Sequence, residues 1–262
     1  MRNLLPTGII TAALLISTTF AQTTTPANKE ILSNGGVLHT LLAAPVVGQP
    51  YSATQVTRNK RQLADGTNIT HNGHHFVARD SSGRVRVERR MAETAEGETI
   101  LVFVSDPEAH TITTWATGPH VGKLASVIKI PSEKSTAAKP APAKVAHNSG
   151  LQPIITTEDL GNDTLQGVPV TAVKTTTIVP AGRSGNDAPI TKTVEVWTSP
   201  DMKLVMKEQW EDPRSGERTI SLEKFSRAEP DAALFHPPAG YTFKDLKQTL
   251  QELQEKLDAT QN

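Results

Sequence analysis

The sequence predicts a mainly β protein built on a single curved antiparallel sheet, an incomplete β-barrel, with a C-terminal amphipathic helix and few other helices. From residue 51 onward, short segments rich in β-branched residues are separated by glycine, proline, asparagine and aspartate, which are the residues of tight turns. No long helical periodicity occurs before residue 244. Consecutive strands joined by tight turns form antiparallel meanders, unlike the alternating strands and helices of nucleotide-binding folds.

The candidate strands form two series. The first series is 51–58, 74–79, 84–91, 98–105, 110–116 and 124–130; the second is 169–179, 190–198, 203–211 and 217–225. Turn residues separate them, for example Asp65-Gly66 and Asn72-Gly73. In the strand 84–91, Val85 and Val87 alternate with charged residues. One face of that strand is therefore expected in the core and the other in solvent.

Between the two series lies 131–150, which is rich in alanine, lysine and proline and poor in large apolar residues. Such a composition buries too little surface to offset its ordering entropy, so this segment is predicted to be a mobile insertion. It either links two domains or leaves and re-enters one sheet. We favour a single β domain over 51–243, because each series has few strands and neither has a helix to cover its apolar face.

The first residues have the features of a cleaved signal peptide, predicted over 1–21. Arg2 supplies a charged start, 4–20 is largely apolar, and Thr19 and Ala21 are the small residues that signal peptidase reads. The following segment, 22–50, is an approach to the sheet. The sequence has no cysteine, so the domain must be held together without disulfides. These features predict a periplasmic or secreted protein that is not integral to the membrane after cleavage.

The end of the chain carries the one clear helical pattern. Leucines recur at spacings of four, three and four within 244–262, at Leu246, Leu250, Leu253 and Leu257. This is an amphipathic helix that either docks its leucine face on the domain or projects from it.

Composition and motifs exclude several functions. The 27 basic and 27 acidic residues balance, so no global field recruits nucleic acid. No metalloprotease, serine-hydrolase or phosphate-loop motif occurs, and we predict a non-enzymatic protein without a cofactor. His71, His74 and His75 cluster, but the turn expected at Asn72-Gly73 separates them. They are predicted to be surface polar residues and not metal ligands.

Basic residues are concentrated between residues 51 and 90. If neighbouring strands pair, Arg79, Arg84, Arg86 and Arg90 share a surface that would attract an anionic partner such as a lipid head group, a glycan or an acidic protein. The alternative is a solvated sheet face whose charges discourage edge pairing.

Three segments within the last hundred residues resemble a known family. The residues 195–207, with Trp197, Pro200 and Lys207, then 216–225 and 230–241, resemble the closing portion of periplasmic lipoprotein-carrier and outer-membrane lipoprotein-sorting proteins. This resemblance implies a strongly curved antiparallel sheet whose apolar concave face holds acyl chains or a covering helix.

The whole chain is also similar to a group of uncharacterised secreted bacterial proteins. The residues that carry this similarity are 48–53, 63–66 and 79–86.

Two functions follow as hypotheses. The first is a non-catalytic exported envelope protein that binds a lipid-like or hydrophobic ligand in its curved sheet. The alternative is a protein-interaction or sensing module that contacts an envelope protein through the arginine-rich face or the C-terminal helix.

Overall fold

The computed structural model describes residues 44–130 and 151–245. The predicted signal peptide, most of the approach segment and the insertion at 131–150 lie outside the described residues. The C-terminal helix also lies outside them, except for its first two predicted residues.

The described residues form twelve strands and one short 3-10 turn, Ala232–Phe235. The strands are β1 (Tyr51–Gln62), β2 (Asn68–Arg79), β3 (Val85–Thr94), β4 (Gly97–Asp106), β5 (Thr111–Thr117), β6 (Leu124–Lys129), β7 (Ile154–Leu165), β8 (Val168–Val179), β9 (Ile190–Ser199), β10 (Leu204–Asp212), β11 (Gly216–Ser226) and β12 (Thr242–Asp245). Every strand predicted from turn chemistry is present.

All twelve strands belong to one open sheet in the order β12-β6-β5-β4-β3-β2-β1-β11-β10-β9-β8-β7. Neighbouring strands are antiparallel except β12, which pairs in parallel with β6. The two predicted series are joined by the pairing of β1 with β11, so they form one sheet. The predicted fold class is therefore confirmed as mainly β, with a single sheet that is not closed into a barrel.

Three local expectations were wrong. The turn predicted at Asn72-Gly73 does not form. Both residues lie inside β2, and Gly73 pairs with Thr57, because β1 pairs with β2 along its whole length without a register shift. The strand β7 was not predicted. The first two residues of the predicted helix, Lys244 and Asp245, extend β12 because they pair with β6.

The sheet bends strongly between β2 and β10. The guanidinium of Arg79, on β2, donates through Nη2 to the carbonyl of Met202, in the turn before β10, at 2.8 Å. In a flat sheet these strands would be about three spacings of 4.8 Å apart. The register shifts in four strand pairs: β1–β11, β3–β4, β7–β8 and β9–β10. Each shift is a β-bulge, and bulges bend and twist strands.

Two apolar clusters occupy opposite faces of the first half of the sheet. The adjacent residues Val77 and Ala78 of β2 point to different faces, and each belongs to a different cluster. The first cluster joins Tyr51 and Val77 to residues of β8, β10 and β11, including Met206 and Leu222, because the sheet curves onto itself.

The second cluster is closed by the chain that follows β11. It contains Val102, Val104, Trp115, Ala125 and Phe235. Phe235 sits in the 3-10 turn, which Asp231 caps by accepting from the backbone N–H of Ala233 at 2.9 Å. The returning C-terminal segment thus replaces a helix as the cover of this face.

Candidate functional site

The first of the predicted anion-binding arginines is buried in the apolar core. Arg79 is 4% exposed and donates to the backbone carbonyls of Gln49, at 2.9 Å, and Met202. Its guanidinium lies 5.0 Å from the centre of the Tyr51 ring. Burial lowers the pKa of Arg79, and the tyrosinate form of Tyr51 would oppose this shift. The side chain ties two distant parts of the sheet together.

Two further arginines lie on the opposite face and hold the C-terminal segment. Arg84 donates to Asp80 at 2.6 Å and to His236 at 3.1 Å, and its guanidinium lies 5.0 Å from the centre of the Phe235 ring. Arg86 donates to the carbonyl of Leu234 and forms an ion pair with Glu88. Its guanidinium lies over the Trp115 ring. Both side chains use their charge within the molecule.

Arg90 lies further along β3 and is partly exposed. It forms ion pairs with Glu98 at 2.7 Å and Glu93 at 3.0 Å and contacts His74 Nε2 at 3.0 Å. The four arginines therefore lie on both faces of the sheet, and Arg84 and Arg90 are the two with appreciable solvent access. Binding of an anionic partner stays a prediction.

The histidines of β2 do not converge. Since successive side chains of a strand point to opposite faces, His74 and His75 are separated by the sheet. The pKa of His75 is lowered, mainly by burial and further by the charge of Arg89. In residues 44–130 and 151–245 no group of three metal-ligating side chains converges. No helix in the same ranges has the length and hydropathy needed to span a membrane.

The sheet opens between β10 and β11. These strands pair from Asp212 with Gly216 up to Lys207 with Ser221, and beyond that point the start of β10 and the end of β11 separate. A bulge between Val205 and Lys207 supplies the physical reason, because bulges increase the local twist. On the other strand, β11, the backbone of Lys224 has a left-handed conformation, with φ of 51°.

The separation leaves a shallow cleft of about 370 Å³, which we call the β10–β11 cleft. Its lining residues come from these two strands, from the end of β7 and from the β7–β8 turn: Leu165, Gln166, Met206, Lys207, Ser221, Leu222, Glu223 and Lys224. The buried side chains of Met206 and Leu222 belong to the first apolar cluster, so the floor of the cleft is the core itself.

Charged side chains surround this apolar floor. Lys207 Nζ lies 4.1 Å from the centre of the Trp197 ring. Glu223 forms an ion pair with Arg58 at 2.8 Å. Lys224 completes the rim. None of these residues was predicted from the sequence as part of a binding site, because each belongs to an ordinary strand pattern and only the register breaks bring them together.

A second cleft of about 400 Å³ lies beside the β9–β10 turn. It is lined by Thr198, Ser199, Pro200, Lys203, Leu204 and Val205. Its walls are the turn itself and the strand ends beside it.

A buried carboxyl lies on β10 next to the first cleft. Glu208 is two residues from Met206 and is 5% exposed. Desolvation raises the pKa of Glu208 to about 7, and the charge of Arg218 opposes this rise. A carboxyl with this pKa exchanges its proton near neutral pH. Sequence reasoning missed it, although its alternation with Met206 and Trp210 places it on a covered face.

No protein-family model matches the chain, and no curated protein matches its sequence. Solved structures do resemble its fold. An uncharacterised conserved protein from Thermus thermophilus is 12% identical, with a TM-score of 0.38 over 76% of this chain and 91% of that one. A LolA superfamily protein from Nitrosomonas europaea is 11% identical, with a TM-score of 0.27 over 73% of this chain and 92% of that one.

A chain of the MucA/MucB complex of Pseudomonas aeruginosa is 14% identical, with a TM-score of 0.36 over 73% of this chain. The match spans 56% of that chain. No property of these proteins is carried over to this one.

Proposed function

We propose that the protein is a non-catalytic exported envelope protein that binds a hydrophobic or lipid-like ligand in the β10–β11 cleft. The observation that carries this proposal is the opening of the sheet above Met206 and Leu222, which places these buried core side chains directly beneath the cleft. The cleft volume of about 370 Å³ falls within the range of roughly 300–1,000 Å³ that is usual for small-molecule sites.

The floor suits an apolar chain. Each methylene fully removed from water contributes about 0.8 kcal/mol, and since a shallow cleft covers an acyl chain on one side, each methylene above Met206 and Leu222 contributes part of this. Methionine is also flexible enough to adjust to chains of different shape. We therefore expect affinity to increase with chain length until the cleft is filled.

The rim suits an anionic head group. Lys207 and Lys224 flank the opening, and the one carboxylate of the rim, Glu223, is engaged by Arg58. A carboxylate or phosphate bound above the floor would meet two ammonium groups. A fatty acid is the simplest ligand with both features.

Titration with a fluorescent fatty acid tests this function. We expect saturable binding by the wild-type protein and weaker binding by Lys224→Glu. Lys129→Glu is the matched control, because this exposed lysine lies on β6 and away from the cleft. Equal weakening by both variants would show that overall charge, and not the cleft, attracts the ligand.

Export is tested separately. Since Thr19 and Ala21 precede the expected cleavage site, intact-mass analysis of the protein from its native envelope should give a chain that begins at Gln22. Retention of 1–21 in a membrane fraction would contradict the cleaved-signal prediction.

The alternative function is an interaction or sensing module. Arg84 and Arg90 retain solvent access, and they are the predicted residues that an acidic envelope protein would reach. Absence of saturable fatty-acid binding, together with capture of an acidic envelope protein that Arg84→Ala and Arg90→Ala abolish, would favour this alternative.

A further inference from the structure

The two edges of the sheet are very different. At one edge, β12 has only four residues, which limits what it can pair with. At the other edge, β7 has twelve residues and pairs on one side only, with β8. All of its residues except Leu165 are exposed. Within the described part of the chain, no segment covers its outer side.

An open edge of this length is a template for another strand. The backbone N–H and C=O groups on the outer side of β7 lack ladder partners among the described residues, and an extended peptide that adds to them satisfies them. Proteins usually protect such edges by shortening or covering them, or with lysine and proline. The β7 segment contains neither lysine nor proline.

The edge carries negative charge. Glu158, Asp159 and Asp163 lie on β7, which has no arginine, lysine or histidine. Asp159 and Asp163 accept from the backbone N–H groups of Gly161 and Thr164, so those bonds bring no cation to them.

One cation lies near the first of these carboxylates. Glu158 faces Lys174 of β8, which is also bound to Glu195 at 2.9 Å. Glu158 and Glu195 share the one ammonium group of Lys174, so the β7 edge keeps a net negative charge.

A bulge defines the length of the binding segment. The pairing of β7 with β8 shifts between Asp159 and Gly161, which separates the residues 154–159 from the rest of the strand. Bulges interrupt a ladder, so an added strand would pair with 154–159 alone. The exposed side chains of Ile154 and Ile155 lie in this segment and offer apolar contact beside the carboxylates.

We propose that residues 154–159 of β7 form a docking edge for an extended, lysine- or arginine-bearing segment of another protein, which adds to the sheet as a further strand. A second copy of the same edge is less favourable, because antiparallel pairing of 154–159 with itself would place Glu158 and Asp159 opposite Ile155 and Ile154, with no basic partner for either carboxylate. Basic side chains on one face of the added strand would instead lie opposite Glu158, and those on the other face opposite Asp159.

Peptide titration by fluorescence anisotropy tests the proposal on the full-length protein. The probe is a short peptide that alternates valine with lysine; one comparison peptide has glutamate in place of lysine, and another has prolines in place of the central valines. We expect saturable binding of the lysine peptide alone, with protection of amides in 154–159 from hydrogen exchange. Equal binding of the proline peptide would overturn strand addition, since that peptide keeps the charge and loses the ladder.

Variants of the protein locate the site. The double variant Glu158→Lys and Asp159→Lys should weaken binding of the lysine peptide about tenfold or more. The glutamate peptide, which the wild type is expected not to bind, should bind to this variant. The control is Asp187→Lys, in the exposed β8–β9 loop. Equal loss in the control, or concentration-dependent dimers that themselves protect 154–159, would overturn the proposed occupant.

Discussion

The buried carboxyl of Glu208 should make the stability of this protein depend on pH. In the unfolded chain a glutamate titrates near 4.5, whereas in the folded protein desolvation raises the pKa of Glu208 to about 7. The folded state therefore holds a proton that the unfolded state has released between these values. The contribution of Glu208 to the free energy of unfolding is greatest below about pH 4.5, falls as the pH rises toward 7, and then levels off.

The magnitude follows from the two pKa values. The interval from 4.5 to about 7 amounts to about 3 kcal/mol at roughly 1.4 kcal/mol per pH unit. Substitution of Glu208→Gln keeps the shape of the neutral side chain and removes its titration. The variant should match the wild type near pH 4 and exceed its free energy of unfolding by up to about 3 kcal/mol near pH 8.

Urea denaturation at a series of pH values measures the difference, provided that the m-value is unchanged. Glu211→Gln is the control, because this exposed carboxylate lies on the same strand. For Glu211→Gln, the free energy of unfolding should fall between about pH 5 and about pH 7 as steeply as it does for the wild type. A constant difference between wild type and Glu208→Gln across this range would refute the argument that Glu208 carries the titration.

Three further predictions concern the fold. Phe235→Ala should destabilise the protein by about 3–5 kcal/mol in urea denaturation, whereas Phe243→Ala, at 60% exposure, should change stability by about 0.5 kcal/mol or less. Gly216→Ala should destabilise far more than Gly66→Ala, since both glycines have positive φ but a Cβ on Gly216 would lie 2.2 Å from a carbonyl oxygen of β1. Limited proteolysis should cut first within 131–150; two fragments that separate and each unfold cooperatively would contradict a single domain.

The strands were predictable because their signals are local. Turn residues such as Asp65-Gly66 and the alternation around Val85 and Val87 act over a few residues, and the predicted strands appear in the sheet. The segment 230–241, which is part of the family resemblance, supplies Leu234 and Phe235, and both pack in the second cluster. The strand β7 was not predicted, because its sequence is mostly polar, contains a glycine and shows no alternation of apolar and polar residues. Such a sequence is usual at an exposed sheet edge.

The sequence by itself determined a mainly β chain with antiparallel neighbours, since tight turns force consecutive strands to pair. Only the tertiary structure decided that Arg79 is buried, that Glu208 is desolvated and that the core opens between β10 and β11. These properties depend on which distant strands meet and on where bulges shift their register. A one-residue register shift moves every later side chain to the other face, so the covered face cannot be read from local alternation alone.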